Sequence, residues 1–188
     1  MGVKTSINSL GANIVRLSQI NLGASKMVDG KKRVTNSTGD LSASLDYEVK
    51  QKRNDKGQWI SGFDLEITST EDYASFIEQG VKGSESTKKS AKDSPFKFKG
   101  QNLARGVMAK WIQNKPIKPR DKSGSFIKKT PATMQNLAFV LGRAVATKGI
   151  GARNYVRDAT DMALRNGGAE LIAKEIYIDY LKKTLNTK

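Results

Sequence analysis

Residues 38–50 read Thr-Gly-Asp-Leu-Ser-Ala-Ser-Leu-Asp-Tyr-Glu-Val-Lys, and this stretch decides which fold we expect. From residue 41 onward, apolar and polar side chains alternate, with an apolar set of Leu41, Ala43, Leu45, Tyr47 and Val49. Such alternation predicts a strand with one buried face and one face in water. Thr38-Gly39-Asp40 predicts a turn before the strand, because glycine adopts unusual backbone angles and Thr or Asp side chains bond neighbouring amides.

Further extended segments are predicted downstream of this strand. Asn54-Asp55-Lys56-Gly57 is typical of a hairpin turn, and residues 59–68 alternate again, as expected for the returning strand. Residues 73–79 form a third short segment that we interpret as extended and that ends at Gly80. The sequence therefore predicts an antiparallel β-meander.

Helices are predicted on both sides of the meander. Residues 7–27 form a helix with one apolar stripe of Ile7, Leu10, Ile14, Leu17 and either Ile20 or Asn21. Residues 31–37 are polar and predict a loop. Thr130-Pro131 predicts a helix start and Gly149 its end, since Thr caps, Pro suits the first helical position and Gly follows the last.

Two more helices are expected near residues 154–164 and 169–185, separated by Gly167-Gly168. The last one should bury Leu171, Ile178, Leu181 and Leu185. A length of 188 residues suits one domain. We therefore expect a single α+β domain over residues 1–188.

Positive charge is concentrated in one segment of the chain. The net charge is +15, and residues 82–129 contain 14 basic but three acidic residues, a local net charge of +11. Residues 82–100 predict a mobile loop, residues 101–114 a short amphipathic helix and residues 120–129 a second basic loop. Residues 82–130 are thus predicted to be an extended basic insertion between sheet and helices.

The composition argues against several classes of protein. The chain contains no cysteine and no histidine, so it lacks the commonest general base, the commonest metal ligand and every thiol function. We expect no enzymatic activity, no cofactor and no metal. No run of about 18 apolar residues occurs, so no membrane span is expected.

Two regions carry a resemblance to a known family. Over residues 36–80, the Thr38-Gly39-Asp40-Leu41 turn is followed by Tyr73-Ala74 and then by Glu78-Gln79-Gly80. Over residues 137–159, Leu137-Ala138-Phe139 leads to Gly149-Ile150-Gly151-Ala152 and the run from Tyr155 to Ala159. In this order the motifs resemble the head–tail joining and tail-completion proteins of tailed bacteriophages.

The resemblance implies a virion structural protein, made in the bacterial host cytoplasm, that assembles into a six- or twelve-fold ring around the DNA channel. Portal or adaptor proteins and tail proteins would be its partners, with weak contact to channel DNA. The motif and interface residues that it implies are Thr38, Gly39, Asp40, Leu41, Ser44, Tyr73, Ala74, Glu78 and Gly80.

The basic segment itself leaves three interpretations open. It could dock onto acidic faces of neighbouring proteins, contact DNA phosphates without sequence preference, or be a solvated loop with no specific role. The second interpretation corresponds to a basic nucleic-acid-binding protein as the alternative function. The residues concerned are Lys88, Lys89, Lys92, Lys97, Lys99, Lys118, Arg120, Lys122, Lys128 and Lys129.

Other single residues also have two interpretations. Trp59 and Trp111 could stack on bases, but each lies on the apolar face of its predicted element, which favours core packing. On a strand, Tyr73 and Glu78 would point to opposite faces, which argues against an acid–base pair. Asp158 and Asp161 could bind Mg²⁺, although ion pairs with nearby arginines are the simpler interpretation.

Overall fold

The computed structural model of the protein describes residues 2–28, 31–33, 39–53, 59–100, 108–109, 112, 119–121 and 123–185. Its architecture is α+β, with an N-terminal helix, a two-stranded antiparallel sheet and C-terminal helices, which confirms the predicted class. In chain order the elements are α1 Val3–Gly23, β1 Lys26–Val28, β2 Lys31–Arg33, α2 Asp40–Ala43, β3 Leu45–Arg53, β4 Trp59–Ser69, α3 Ala74–Gln79, a 3₁₀ turn Lys89–Ala91, α4 Pro131–Lys148, α5 Tyr155–Ala163 and α6 Ala169–Leu185.

The chain divides into two compact units. The first contains Met1–Ser25, Gly39–Asp72 and Asn154–Lys188, and the second contains Lys26–Thr38 and Tyr73–Arg153. That residues 1–188 form one domain stays a prediction.

The sheet of the first unit is the hairpin of β3 and β4. The two strands pair antiparallel, with Leu45 opposite Ser69 and Val49 opposite Leu65, and the register shifts between Gln51 and Arg53. Because side chains alternate along a strand, the odd-numbered residues share the inner face and the even-numbered ones the outer face. The exposed even-numbered charges of both strands confirm the predicted wet face.

Helix α1 packs closely against this hairpin. Gly11 is buried, and a Cβ added there would collide with the ring of Tyr47 and lie 2.8 Å from Leu65 Cδ1. The glycine that lowers the helix propensity of α1 therefore permits its close approach to the sheet. One core cluster of this unit consists of Ile14, Ala159 and Ala163, packed against Leu10, Leu17, Leu65, Ile67 and Val156.

The structure shows which of Ile20 and Asn21 continues the buried stripe at the C-terminal end of α1. Ile20 is 52% exposed, whereas Asn21 is half-buried and its Nδ2 donates to the Tyr155 carbonyl at 3.1 Å. The alternative with Asn21 on the buried side is thus the correct one. The helix runs from Val3 to Gly23 rather than over 7–27, and Lys31–Arg33 forms a strand with Lys26–Val28 where we predicted a loop.

The start of the first long strand was predicted too early. Residues Asp40–Ala43 form the short helix α2, and β3 begins only at Leu45. Gly39 precedes this helix with φ 93°, a left-handed conformation that favours glycine. This helical turn buries the side chain of Leu41, which is 3% exposed. Burial of Leu41 thus outweighs the alternating pattern over residues 41–44, which by itself predicted a strand.

The C-terminal helices partly match the prediction. The break at Gly167 is confirmed, because this residue has φ 93° between α5 and α6. The buried side of α6 was predicted wrongly: Leu171 is 42% and Leu181 37% exposed, while Glu175 is buried. Ile178 is half-buried, and the side chain of Leu185 lies outside the described residues.

The second unit contains α3, α4 and the segments between them. The extended segment predicted over residues 73–79 is wrong, because Ala74–Gln79 forms helix α3. Helix α4 begins as predicted: Thr130 is the N-cap, Pro131 is the first helical residue, and Thr130 and Thr133 form a reciprocal capping box. A core cluster of the second unit consists of Met108, Ile112 and Ala138, packed against Ala109, Met134, Leu137 and Leu141.

Met108, Ala109 and Ile112 are helical, in agreement with a short helix near residues 101–114, most of which lies outside the described residues. Within the described part of the chain, no helix combines the length and apolar character that crossing a bilayer requires.

Candidate partner-binding surface

A reciprocal pair of backbone hydrogen bonds joins two distant segments of the second unit. The Val81 amide donates to the Ile150 carbonyl at 2.9 Å, and the Ile150 amide donates to the Val81 carbonyl at 2.8 Å. Val81 directly follows the Glu78-Gln79-Gly80 motif, and Ile150 lies in the Gly149–Ala152 motif, two of the several motifs on which the family resemblance depends. The fold therefore brings these two motifs to one antiparallel bridge.

Glycine is required on both sides of this bridge. Gly80 (φ 73°, ψ −176°) and Gly149 (φ 73°, ψ 178°) occupy a backbone region that is almost exclusive to glycine. A Cβ at Gly80 would lie 2.6 Å from both Ala152 N and Ile150 O. The bridge therefore requires residues without a side chain at positions 80 and 149.

The segment that follows the bridge is fixed by hydrogen bonds. The Lys82 amide donates to the Phe96 carbonyl at 2.9 Å, and the Phe98 amide donates to the Lys82 carbonyl at 3.0 Å. Ser94 is buried, its Oγ donates to the Gly80 carbonyl at 2.8 Å, and the same oxygen accepts from the Phe96 amide at 3.1 Å. Residues 82–98 therefore form a hydrogen-bonded segment, and the mobility expected for residues 82–100 stays a prediction.

Most lysines of this segment lie on its surface. Lys88 is half-buried, whereas Lys89, Lys92, Lys97 and Lys99 are exposed. In the same part of the second unit, the rings of Phe76 and Phe96 pack edge to face with their centroids 4.6 Å apart. A hydrogen-bonded backbone thus presents Lys89, Lys92 and Lys97 to solvent, with Lys99 directly after it, which suits recognition of an acidic surface.

A second basic element is a small loop that we call the tip loop (residues 119–121 and 123–129). Arg120 pairs with Phe126 across an antiparallel bridge, and its guanidinium carbon lies 4.0 Å from the centroid of the Phe126 ring. The same side chain donates from Nη1 to the Gly124 carbonyl at 2.8 Å. Arg120 therefore holds both arms of the loop together.

Asp121 fixes the turn of the tip loop. Its Oδ1 accepts from Ser123 Oγ at 2.6 Å and from the Ser125 amide at 2.9 Å. These hydrogen bonds, that of Ser123 first, hold the pKa of Asp121 below the usual value for aspartate. The loop thus keeps one negative charge among its exposed cations Arg120, Lys128 and Lys129.

The motif residues implied by the family resemblance lie in both units. In the first unit, Gly39 directly precedes helix α2, which begins at Asp40. Leu41 is buried, and Ser44 Oγ lies 2.6 Å from Ser69 Oγ. In the second unit, Tyr73 precedes α3 and is 39% exposed, while Ala74 and Glu78 are half-buried on that helix. Thr38, Lys118 and Lys122 lie outside the described residues.

Sequence reasoning missed three residues that shape this surface. Arg153 is 3% exposed, its amide donates to the Ile77 carbonyl at 2.9 Å, and burial lowers the pKa of its guanidinium. Arg153 and Ser94 have no particular signal in the sequence. For Phe126, the Arg-Asp-x-Ser-Gly-Ser-Phe run could have predicted a turn that brings Arg120 to the ring.

The remaining candidates from the sequence are two tryptophans and a pair of aspartates. The side chains of Trp59 and Trp111 lie outside the described residues. Asp158 lies in the first turn of α5 and is half-buried, while Asp161 is exposed. Among the residues that the structure describes, no three acidic side chains are grouped as a metal ion would require.

Comparisons with protein-family models, with curated proteins and with solved structures each found no match to this chain.

Proposed function

We propose that the protein is a structural subunit of the tailed-phage virion that forms a ring at the head–tail connector, around the DNA channel between portal and tail. The observation that carries this proposal is the Val81–Ile150 bridge, which brings together two of the motifs that resemble the connector family. Motifs separated by about 70 residues have a reason to occur together when they build one junction. The proposed role is one of assembly rather than catalysis.

The hydrogen-bonded basic surface supports a docking role in the same proposal. Lys89, Lys92 and Lys97 project from a backbone segment that hydrogen bonds already hold, so little backbone entropy is lost when a partner binds. Acidic faces of portal, adaptor or tail proteins are the proposed partners, in the virion, after synthesis in the host cytoplasm.

The test is the mass of the purified, nuclease-treated protein in solution at several salt concentrations, with electron micrographs of each species. Closed rings support the proposal and give the symmetry directly. If the protein stays monomeric even with its portal and tail proteins added, the connector proposal fails.

A second candidate function is sequence-nonspecific binding of nucleic acid, favoured by the exposure of Lys89, Lys92, Lys97 and Lys99. It predicts DNA binding that weakens as salt rises, with a slope set by the number of phosphates neutralised. Fluorescence anisotropy with a labelled duplex measures that slope. Tight binding at physiological salt by a monomer would favour this function over the connector.

A further inference from the structure

The hairpin region carries charge of the opposite sign to the rest of the chain. Residues 39–72 contain eight acidic and four basic residues, whereas the whole chain has a net charge of +15. Two copies of so basic a protein repel each other in most orientations. An orientation that brings the acidic hairpin region of one copy to the basic segment of the next is attractive instead, because the two regions carry opposite net charges.

The outer face of the hairpin is the exposed part of that acidic region. Its charged side chains are Asp46, Glu48, Lys50, Lys52, Asp64 and Glu66, all of them exposed. Glu48 and Glu66 lie directly opposite each other, and Lys50 Nζ is 3.1 Å from Glu48 and 2.6 Å from Glu66. Lys50 offsets part of this charge, and Asp46 and Asp64 add more, so the face stays negative.

The same face also has a small apolar patch. A Cβ built at Gly62 would be in van der Waals contact with Lys52 Cβ and Cδ at 3.8 Å, so the aliphatic stem of Lys52 lies against this glycine. An aromatic ring can pack on such a patch, because the stem of a lysine is apolar while its charged end stays in water.

The tip loop has the complementary properties. Phe126 is 61% exposed, and Ile127, Lys128 and Lys129 beside it are exposed as well. The hydrogen bonds of Arg120 and Asp121 hold the loop in one conformation before any partner arrives. An exposed aromatic ring on a rigid basic loop is typical of a residue that anchors a protein contact.

We propose that the tip loop of one copy docks on the outer face of the hairpin of a second copy. The Phe126 ring packs on the Lys52 stem beside Gly62, and Lys128 and Lys129 face Asp46 and Asp64. This contact deepens the proposed ring-forming function and rests on it, because a head-to-tail contact between identical chains closes into a ring when its rotation permits.

The test uses two charge-reversed variants of the full chain. The loop variant carries Lys128→Glu and Lys129→Glu, and the face variant carries Asp46→Lys and Asp64→Lys. Sedimentation velocity at low salt, on nuclease-treated protein over a range of concentrations, measures self-association. The matched control is Lys4→Glu with Lys174→Glu, two exposed helical positions with the same charge change as the loop variant.

Each variant alone should lose self-association, and an equimolar mixture should regain it, because every contact in the mixture again joins opposite charges. Each exchange shifts the net charge by 2, so from +15 the two variants still carry positive net charges of +11 and +19. Attraction between whole molecules therefore cannot explain the recovery. Phe126→Ala should weaken self-association about tenfold with the charges unchanged.

Circular dichroism and thermal unfolding verify that each variant is folded. The proposal is overturned if the wild type stays monomeric at every concentration, if the variants associate as the wild type does, or if mixing fails to restore association. Association of the wild type that disappears on nuclease treatment identifies DNA as the occupant and overturns it too.

This experiment separates the contact from the proposed function. Recovery in the mixture with open filaments in electron micrographs supports the contact and contradicts the ring. Closed wild-type rings without recovery in the mixture support the ring-forming function and contradict this contact.

Discussion

Val81 and Ile150 exchange two backbone hydrogen bonds, of 2.9 and 2.8 Å, although 68 residues lie between them in the chain. Gly80 and Gly149 precede them, both with φ 73°. This junction connects the end of α3 to the end of α4 within the second unit, and residues 82–98 extend from it. The stability of the basic surface therefore depends on these two glycines.

Substitution of Gly80 tests that dependence. Gly80→Ala should lower the free energy of unfolding by at least about 2 kcal/mol, since a side chain is strained in this backbone region and the new Cβ meets backbone atoms. Urea unfolding followed by circular dichroism measures the loss. Gly100→Ala is the control, because nothing lies within 4 Å of a Cβ there; equal losses in both variants would contradict the role of the junction.

Gly11 offers a test in which two effects oppose each other. Alanine raises helix propensity by about 1 kcal/mol, but the added methyl group meets the Tyr47 ring and Leu65 Cδ1, and overpacking typically costs about 1–3 kcal/mol. We expect Gly11→Ala to destabilise α1 by about 1 kcal/mol net.

The control for this substitution is Gly23→Ala in the last turn of the same helix, where a Cβ has nothing within 4 Å. It should be neutral or stabilise by about 0.5 kcal/mol. Thermal unfolding of the two variants and the wild type gives both values. A gain in stability from Gly11→Ala would contradict the close packing of α1 on the hairpin.

The tip loop predicts a measurable pKa. Because hydrogen bonds lower the pKa of Asp121 in the folded protein, the stabilisation that they give is present above the ordinary aspartate value of 3.8. That stabilisation is lost as the pH falls through the lower, folded value. The loop should therefore keep its conformation at neutral pH and lose it only in acid.

Ser123→Ala removes the hydrogen bond that contributes most to this shift, so the pKa of Asp121 should rise toward its ordinary value. NMR titration of the Asp121 carboxyl carbon measures it. Ser125→Ala is the control, since Ser125 donates to Asp121 from its backbone amide, which alanine retains. An Asp121 pKa that Ser123→Ala leaves unchanged would contradict the described turn.

Lys50 predicts a pH effect of the opposite sign. Its contacts with Glu66 and Glu48 raise the pKa of Lys50 above 10.5, so its contribution to stability is complete below that value and is lost as the pH rises through the folded pKa. Lys50→Met should destabilise the hairpin at pH 7, because Glu48 and Glu66 then face each other without a cation between them.

The difference between wild type and Lys50→Met should shrink in strongly alkaline solution, where the lysine is neutral. Thermal unfolding across pH measures it. Lys52→Met, which removes the same charge from the same face of β3, should have the smaller effect at pH 7. Equal effects of the two substitutions would show that the bridge between the glutamates adds nothing to hairpin stability.

The sequence by itself determined the elements with long, regular patterns or strong local signals. Period-2 alternation determined the hairpin of β3 and β4, and period-3.6 spacing determined most of α1. Thr130-Pro131 determined the start of α4, because a capping hydroxyl and a proline act within one helical turn. Each of these signals depends on neighbours in the chain.

Tertiary structure decided the short and the composite features. A six-residue segment such as Ala74–Gln79 is too short for its period to distinguish strand from helix, and its Ile77 carbonyl and Phe76 ring are placed by Arg153 and Phe96. Tertiary structure also decided the buried face of α6, where Leu171 and Leu181 are exposed although the sequence predicted their burial. Which face of such a helix is buried depends on what packs against it.

The candidate surface divides in the same way. Composition located the basic segment, but only the tertiary structure decided that residues 82–98 are hydrogen-bonded to distant parts of the chain and that Arg120 lies on Phe126. The physical reason is that charge is additive along a chain and can be counted from the sequence. Rigidity comes instead from hydrogen bonds and packing between residues that folding brings together from distant positions.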